Sequence, residues 1–382
     1  MKKIKYLAIC LMTIILSACN VHEWPEIPVE PEPEILPFTL NLNFDTALPL
    51  YTVIEHVSSR ASVEDGYDVR YIVNAYKQDD SRNDERTASH QFILSKDDVN
   101  NLNYSEDLEI EEGRYIFRVW ADYVRASFTE DLYYNTSNFS NISLQGEHSG
   151  NNDFRDAFVG EVEADITSAA TYVTVEMGRP LAKFNFISTD LEQFIEHVLE
   201  LRAEAEKKKN REAQANQDVA TASDDGESEN TANDDSVTQE SESESESESD
   251  AGEEVTRVVE MTDFKVVFKY YGNMPSAFNM FTNRPSNIQT GVVFNSKLTK
   301  LSDTEAELGF DYVFVNGSES IVQVSIDVYD KDGSLISSTD PFDVPLKRSM
   351  LTTIKAEFLT SKADGGVGIM PEFDGEFNYE VK

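Results

Sequence analysis

The chain has 382 residues and a formal net charge of −39, from 32 Lys and Arg against 71 Asp and Glu. That excess of negative charge argues against nucleic acid or anionic lipid headgroups as partners, since both would be repelled. Its two cysteines are Cys10 and Cys19. Both belong to an N-terminal leader and its end, so the mature chain has no thiol for a disulfide, a metal site or nucleophilic catalysis.

Lys2, Lys3 and Lys5 form a positive n-region. Tyr6 to Leu16 is an apolar h-region, roughly half the ~20 residues a membrane-spanning helix needs. Leu16-Ser17-Ala18-Cys19 ends it with small residues before a cysteine, the pattern of a bacterial lipoprotein. Residues 1–18 are expected to be cut away, and Cys19 to carry a diacylglyceryl thioether and a third acyl chain such as palmitate. At about 0.8 kcal/mol per buried methylene, several chains make a stable anchor. The outer membrane, held through this lipid, is the expected location, with the fold at the cell surface. Asn20 after Cys19, where inner-membrane retention favours aspartate, agrees with that. Residues 19–37 carry Pro25, Pro28, Pro31, Pro33 and Pro37 among glutamates and read as an extended tether.

From residue 38 a period of two dominates. Phe38, Leu40, Leu42 and Phe44 alternate with Thr39, Asn41, Asn43 and Asp45, the pattern of a half-buried strand. Val69 to Ala75, Tyr115 to Ala121 and Val173 to Met177 repeat it. Leu181–Ile187 is expected to continue the last of these past Pro180. Clusters such as 79–84 and 135–141 punctuate the strands, which indicates antiparallel sandwiches. One segment is helical: Leu191, Phe194, Ile195, Val198 and Leu199 form an i, i+3, i+4, i+7, i+8 stripe. Asp190 with Gln193 reads as a capping box. Beyond Leu201 the stripe stops, and 203–254 is expected to be a disordered acidic insert, ending in the Glu-Ser run of 240–250. Strands resume with Phe264 to Tyr270 and Val322 to Val328. Asp330-Lys-Asp-Gly333 supplies a hairpin turn, and Leu351–Thr360 a last strand. The economical organisation is a tether, a β-sandwich over 38–183 and a second over 184–382 that contains the insert.

Catalytic patterns are not found. His22, His56, His90, His148 and His197 are scattered, with none at metal-ligand spacing to another. Asp327, Asp330 and Asp332 lack the glutamate an EF-hand loop requires. Gly365-Gly-Val-Gly368 lacks the lysine and hydroxyl of a phosphate loop. The 22 Phe and 16 Tyr, at strand periodicity, fit core and cross-strand pairing better than a sugar platform. No enzyme, cofactor or metal is expected.

Several stretches resemble the fimbrillin superfamily, the lipoprotein-derived fimbrial subunits and anchors of Gram-negative gut and oral bacteria. They are Tyr67-Asp-Val-Arg-Tyr-Ile-Val-Asn-Ala-Tyr76, Arg155-Asp-Ala-Phe158 and above all Arg179-Pro-Leu-Ala-Lys-Phe184. In the second half they are Tyr271-Gly-Asn-Met-Pro-Ser-Ala-Phe-Asn-Met280, Gly309-Phe-Asp-Tyr-Val-Phe-Val315 and Val344-Pro-Leu-Lys-Arg-Ser-Met-Leu-Thr-Thr353. Gly365–Ile369 and Phe373–Asn378 complete the set. The resemblance implies an all-β fold of two tandem transthyretin-like Greek-key sandwiches. It also implies maturation by a protease that cuts after an arginine beyond the first strand. The groove so opened takes the C-terminal strand of another fimbrial subunit by donor-strand exchange. Arg60 is the candidate cleavage position, and is otherwise an ordinary loop arginine. Phe373–Lys382 is either a donor strand or the last strand of its own sandwich. Asp45-Thr46-Ala47 is similar to the O-glycosylation signal of such bacteria. The function implied is a non-catalytic surface lipoprotein, a fimbrial subunit or an uncut anchor. The alternative is a surface lipoprotein that binds carbohydrate or a host protein without polymerising.

Overall fold

Alternating strands need partners to bury their apolar faces, and this chain supplies them in pairs of packed sheets. A computed structural model describes residues 34–47, 50–52, 66–78, 86–221 and 258–360. The strands of the first half are β1 (Ile35–Phe44), β2 (Leu50–Thr52), β3 (Tyr67–Lys77), β4 (His90–Lys96), β5 (Tyr104–Glu111) and β6 (Gly113–Arg125). Then come β7 (Tyr134–Asn135), β8 (Ile142–Leu144), β9 (Phe158–Ile166), β10 (Thr171–Met177) and β11 (Leu181–Ser188). The helix α1 (Leu191–Thr221) precedes β12 (Lys265–Tyr271), β13 (Met274–Asn279), β14 (Arg284–Gln289), β15 (Val293–Lys297) and β16 (Thr299–Lys300). The remaining described strands are β17 (Ala306–Phe314), β18 (Glu319–Tyr329), β19 (Leu335–Ser338), β20 (Phe342–Lys347) and β21 (Leu351–Ala356).

The first sandwich packs the sheet β10-β1-β5 on the sheet β4-β3-β6-β9. Phe38, Leu40 and Leu42 meet Tyr71, Val73, Phe117 and Val119 in its core. The second packs β16-β17-β11-β21-β2 on β15-β12-β18-β19, with β20 also paired to β18. Its centre is a run of stacked rings, Phe186 to Phe268 at 5.5 Å and Phe268 to Phe294 at 4.7 Å. A further sheet, β14-β13-β8-β7, is built from both halves, because β8 pairs with β13 through Phe278↔Ile142. Under it Trp120, Tyr134 and Ile142 pack with Leu181, Phe278 and Phe314. The all-β sandwich class expected from the sequence is the observed one.

Four expectations change. Leu181–Ile187 does not continue β10: β10 pairs with β1, while β11 lies between β17 and β21 in the other sandwich. The position 183/184 therefore falls inside β11. Residues 35–37 are strand and not tether, with Ile35↔Glu111 and Pro37↔Glu109 in register. Pro37 is tolerated there because pairing with β10 begins only at Phe38↔Thr171, so its missing N–H faces no neighbour. The last strand among the described residues ends at Ala356 and not at Thr360. Finally, α1 runs on to Thr221, about twenty residues beyond the apolar stripe, and residues 203–221 are helical. That extension is rich in Glu, Ala, Lys, Arg and Gln, which favour helix without any packed face. Leu191, Phe194 and Val198 are buried as expected. Asp190 is drawn elsewhere: its carboxylate accepts from the Thr360 amide at 2.8 Å and the Thr360 hydroxyl at 2.7 Å.

The signal peptide, Cys19, His22, His56, the Glu-Ser run and the segment after Thr360 lie outside the described residues. Phe194 is fully buried against Phe264 at 4.9 Å. Phe194→Ala should therefore cost about 3–5 kcal/mol in urea unfolding. Ala203→Gly on the polar extension should cost about 1 kcal/mol or less.

Candidate functional site

β1 is the middle strand of three, parallel to β10 and antiparallel to β5. Its inward residues Leu36, Phe38, Leu40 and Leu42 are all buried. Phe38 packs on Phe117 at 5.5 Å, and Phe44 on Phe158 at 5.2 Å. Each such side chain contributes about 1.5–3 kcal/mol relative to exposure. Its outward face is polar and lightly held, by Thr39 Oγ1 to Asp107 at 2.7 Å and Asn43 Nδ2 to Glu176 at 2.9 Å. β5 and β10 do not pair with each other. Lifting out β1 would leave a two-sided slot over the core, with unpaired backbone groups on both walls. Any extended segment with the same apolar alternation satisfies that slot's demands.

The exit from β1 is gripped by Arg179. Its Nη1 donates to the Ala47 carbonyl at 2.9 Å and its Nη2 to the Thr46 carbonyl at 3.1 Å. Its Nε donates to the Asp156 carboxylate at 2.8 and 2.9 Å. The guanidinium also sits 4.6 Å over the Phe158 ring. Burial pushes the Asp156 carboxyl up, and Arg179 opposes that shift. The motif's lysine, Lys183, bonds Asp153 at 2.7 Å and lies 3.9 Å over Phe310. After Ala47 the chain reaches β2, which pairs with β21 at the edge of the second sandwich.

Arg155 and Asp156 are consecutive and reach in different directions. Asp156 takes Arg179, while Arg155 Nη1 bonds Asp311 of β17 at 2.9 Å. Asp311 also receives the Tyr270 hydroxyl at 2.6 Å and lies 2.6 Å from His148 Nε2. Burial alone would raise the Asp311 carboxyl, but Arg155, His148 and Tyr270 bring it below its ordinary value. Burial and Asp311 together push Tyr270 well up. Sequence motifs from both halves thus converge on one joint. What the sequence reading missed is the pairing. The available signal was charge in the links next to apolar strands, Arg155-Asp156 before β9 and Arg179 between β10 and β11.

Arg60, expected as the processing position, and Cys19, expected as the lipid site, lie outside the described residues. Among the described residues there is no group of three or more His, Cys, Asp or Glu able to hold a metal. No described helix is long and apolar enough to cross a membrane.

A family model described as a family of unknown function, DUF6562, matches residues 36–382. No curated protein matches the chain in sequence. Among solved structures it is similar to a candidate polysaccharide-binding protein from Bacteroides thetaiotaomicron, with 8% identity over 79% of each chain and a TM-score of 0.39. It is similar to a candidate cell adhesion protein from Bacteroides ovatus, with 10% identity, 86% of this chain, 94% of that one and a TM-score of 0.38. It is also similar to the fimbrial anchor protein Mfa2 from Porphyromonas gingivalis, with 9% identity, 80% of this chain, 82% of that one and a TM-score of 0.34.

Removing the Arg179 side chain strands Asp156 in the core and frees the carbonyls it holds, so Arg179→Ala should cost about 3–5 kcal/mol. Limited proteolysis should then cut near 45–47 well before global unfolding. Asp311 has a folded pKa below its unfolded value, so its contribution is complete above about 4 and is lost as pH falls further. Asp311→Asn should flatten the loss of stability as pH falls below about 4, read by chemical denaturation at each pH.

Proposed function

The chain belongs to the family of unknown function DUF6562, and from that premise we propose that it is a non-catalytic surface lipoprotein of fimbrillin type. In this reading Cys19 carries the lipid that holds it at the outer membrane, and the two sandwiches serve surface assembly and adhesion as fimbrial subunit or anchor. The observation that carries the proposal is the seat of β1. A buried, amphipathic middle strand, connected to the rest of the chain through an exit held by one arginine, is what donor-strand exchange requires. The incoming strand must be extended, apolar at alternate positions and supplied by another subunit.

Two outcomes follow from where β1 goes. If the chain is cut at Arg60, β1 and β2 leave together, because both precede that position. The slot between β5 and β10 and the edge of β21 would then open in the same event. If the chain stays uncut, β1 remains seated, the lipid is permanent and the molecule terminates an assembly. The similar fimbrial anchor and adhesion-class structures point the same way only at the level of a shared type of architecture.

The test is expression of the wild-type chain and Arg60→Ala in the native host type, with intact mass and unheated SDS gels as readouts. A subunit gives a wild-type product that starts at Ala61 and forms SDS-resistant ladders, both abolished in the variant. An anchor gives the same lipidated mass in both. A wild-type product that is neither lipidated at Cys19 nor cut after Arg60 overturns the proposal.

A further inference from the structure

Three turns of the second half meet on one side of the joint: the β13–β14 turn, the β17–β18 turn and the β20–β21 turn. The Arg348 amide donates to the Ser318 carbonyl at 2.9 Å and ties two of them together. Between the turns lies a shallow, open depression of about 580 Å³. Arg284, Lys347 and Arg348 line it, and no carboxylate or large apolar side chain does. Asn283 and Ser349 take left-handed backbone, with φ of 53° and 59°. Such conformations cost non-glycine residues of order 1–3 kcal/mol and gather at functional surfaces.

The charge there is not balanced as it is elsewhere. The fully buried arginines Arg70, Arg155 and Arg179 each bond a carboxylate, on Asp122, Asp311 and Asp156. Arg348, half-buried, has only neutral acceptors. Its Nε donates to the Arg179 carbonyl at 2.9 Å and its Nη2 to Asn283 Oδ1 at 2.7 Å. Its guanidinium lies 5.5 Å over the Phe278 ring. Burial alone shifts it, downward, because no anion opposes. Arg284 is exposed and makes no ion pair among the described residues. Lys347 meets Glu319 at 3.4 Å with both side chains 40% or more exposed, a weak pair in solvent. Two arginines without a carboxylate among the described residues, beside a lysine and in a chain of net charge −39, point to an anion.

The rest of the lining narrows its class. Thr282, Asn283, Ser318 and Ser349 offer hydroxyl and amide groups, which suit a ligand rich in hydroxyls. No large apolar side chain lines it, which disfavours a lipid chain or the aromatic anchor of a protein interface. The overall negative charge disfavours a long polyanion such as nucleic acid. We propose that this depression binds an acidic saccharide, its carboxylate or sulfate held among Arg284, Lys347 and Arg348 and its hydroxyls against Thr282, Asn283 and Ser318. The site does not require polymerisation, cleavage at Arg60 or lipidation at Cys19, so it stands or falls separately from the function proposed above.

The test is isothermal titration of the full chain in detergent with four probes. They are a galacturonate trisaccharide, a sulfated heparin tetrasaccharide, a neutral maltotriose and a Glu-Ser decapeptide matching the run in 240–250. Binding of the galacturonate or the sulfated probe, but not of maltotriose, is expected, and which one binds identifies the anionic group. Affinity should fall with salt and drop about tenfold or more in both Arg284→Ala and Lys347→Ala. Arg284 is exposed, so the melting temperature of Arg284→Ala should match wild type. Lys265→Ala, on the outer face of β12, should leave binding unchanged. The proposal is overturned if no acidic sugar binds, or if binding is the same in the Arg284 and Lys347 variants. It is equally overturned if the decapeptide binds at least as tightly as the sugars and loses affinity in the same variants.

Discussion

The guanidinium of Arg179 is the point on which the arrangement of this molecule depends. Its side chain holds the backbone that leaves β1, at Thr46 and Ala47, and is itself oriented by Asp156. Its own carbonyl accepts from Arg348 Nε and from Ser349 Oγ, both in the second half. One residue between β10 and β11 therefore fixes the exit of the first strand and the position of the β20–β21 turn together. Pro180 follows it and holds the chain extended as it passes from one sandwich to the other.

The Arg179–Asp156 pair is better understood as a device of position than as a source of net stability, whereas ionised Asp311, held below its ordinary value, adds stability. For Asp156, burial outweighs the attraction of Arg179, which is the ordinary outcome when two charges leave water. What the pairs add is discrimination. Arg155 of the first half pairs with Asp311 of the second, so a rotation of one half against the other would strand both buried charges at once. The shared sheet of β7, β8, β13 and β14 and the Trp120–Tyr134–Phe314 cluster supply the apolar area; the charges select which docking of the two halves is allowed.

The same logic distinguishes the two regions with functional character. The β1 slot is apolar inside and satisfied by backbone pairing, so it accepts a segment by pattern and not by individual side chains. The Arg348 depression is the opposite: open and cationic, lined by Arg, Lys, Asn, Ser and Thr side chains, with its specificity in a few groups. Arg348 connects them, since the guanidinium that lines the depression also holds the carbonyl of the residue that grips β1.

Much of this was legible in the residues themselves. Alternation at Phe38–Phe44, Tyr67–Lys77 and Val322–Val328 determined strands, because a pleated backbone sends successive side chains to opposite faces. The stripe at Leu191–Leu199 determined a helix by the same kind of geometry. The Arg155–Phe158 and Arg179–Phe184 stretches stood out as landmarks of the fimbrillin resemblance. Sequence could not say which strands are neighbours. Pairing of β1 with β10, separation of β10 from β11, and the meeting of Arg155 with Asp311 across the two halves all depend on contacts between residues far apart in the chain. Local periodicity carries no information about such contacts. The length of α1 was missed for the converse reason, since helix propensity alone carries it beyond its packed face. The depression at Arg284, Lys347 and Arg348 is purely tertiary: three turns contribute to it, and only their meeting brings the three cations together.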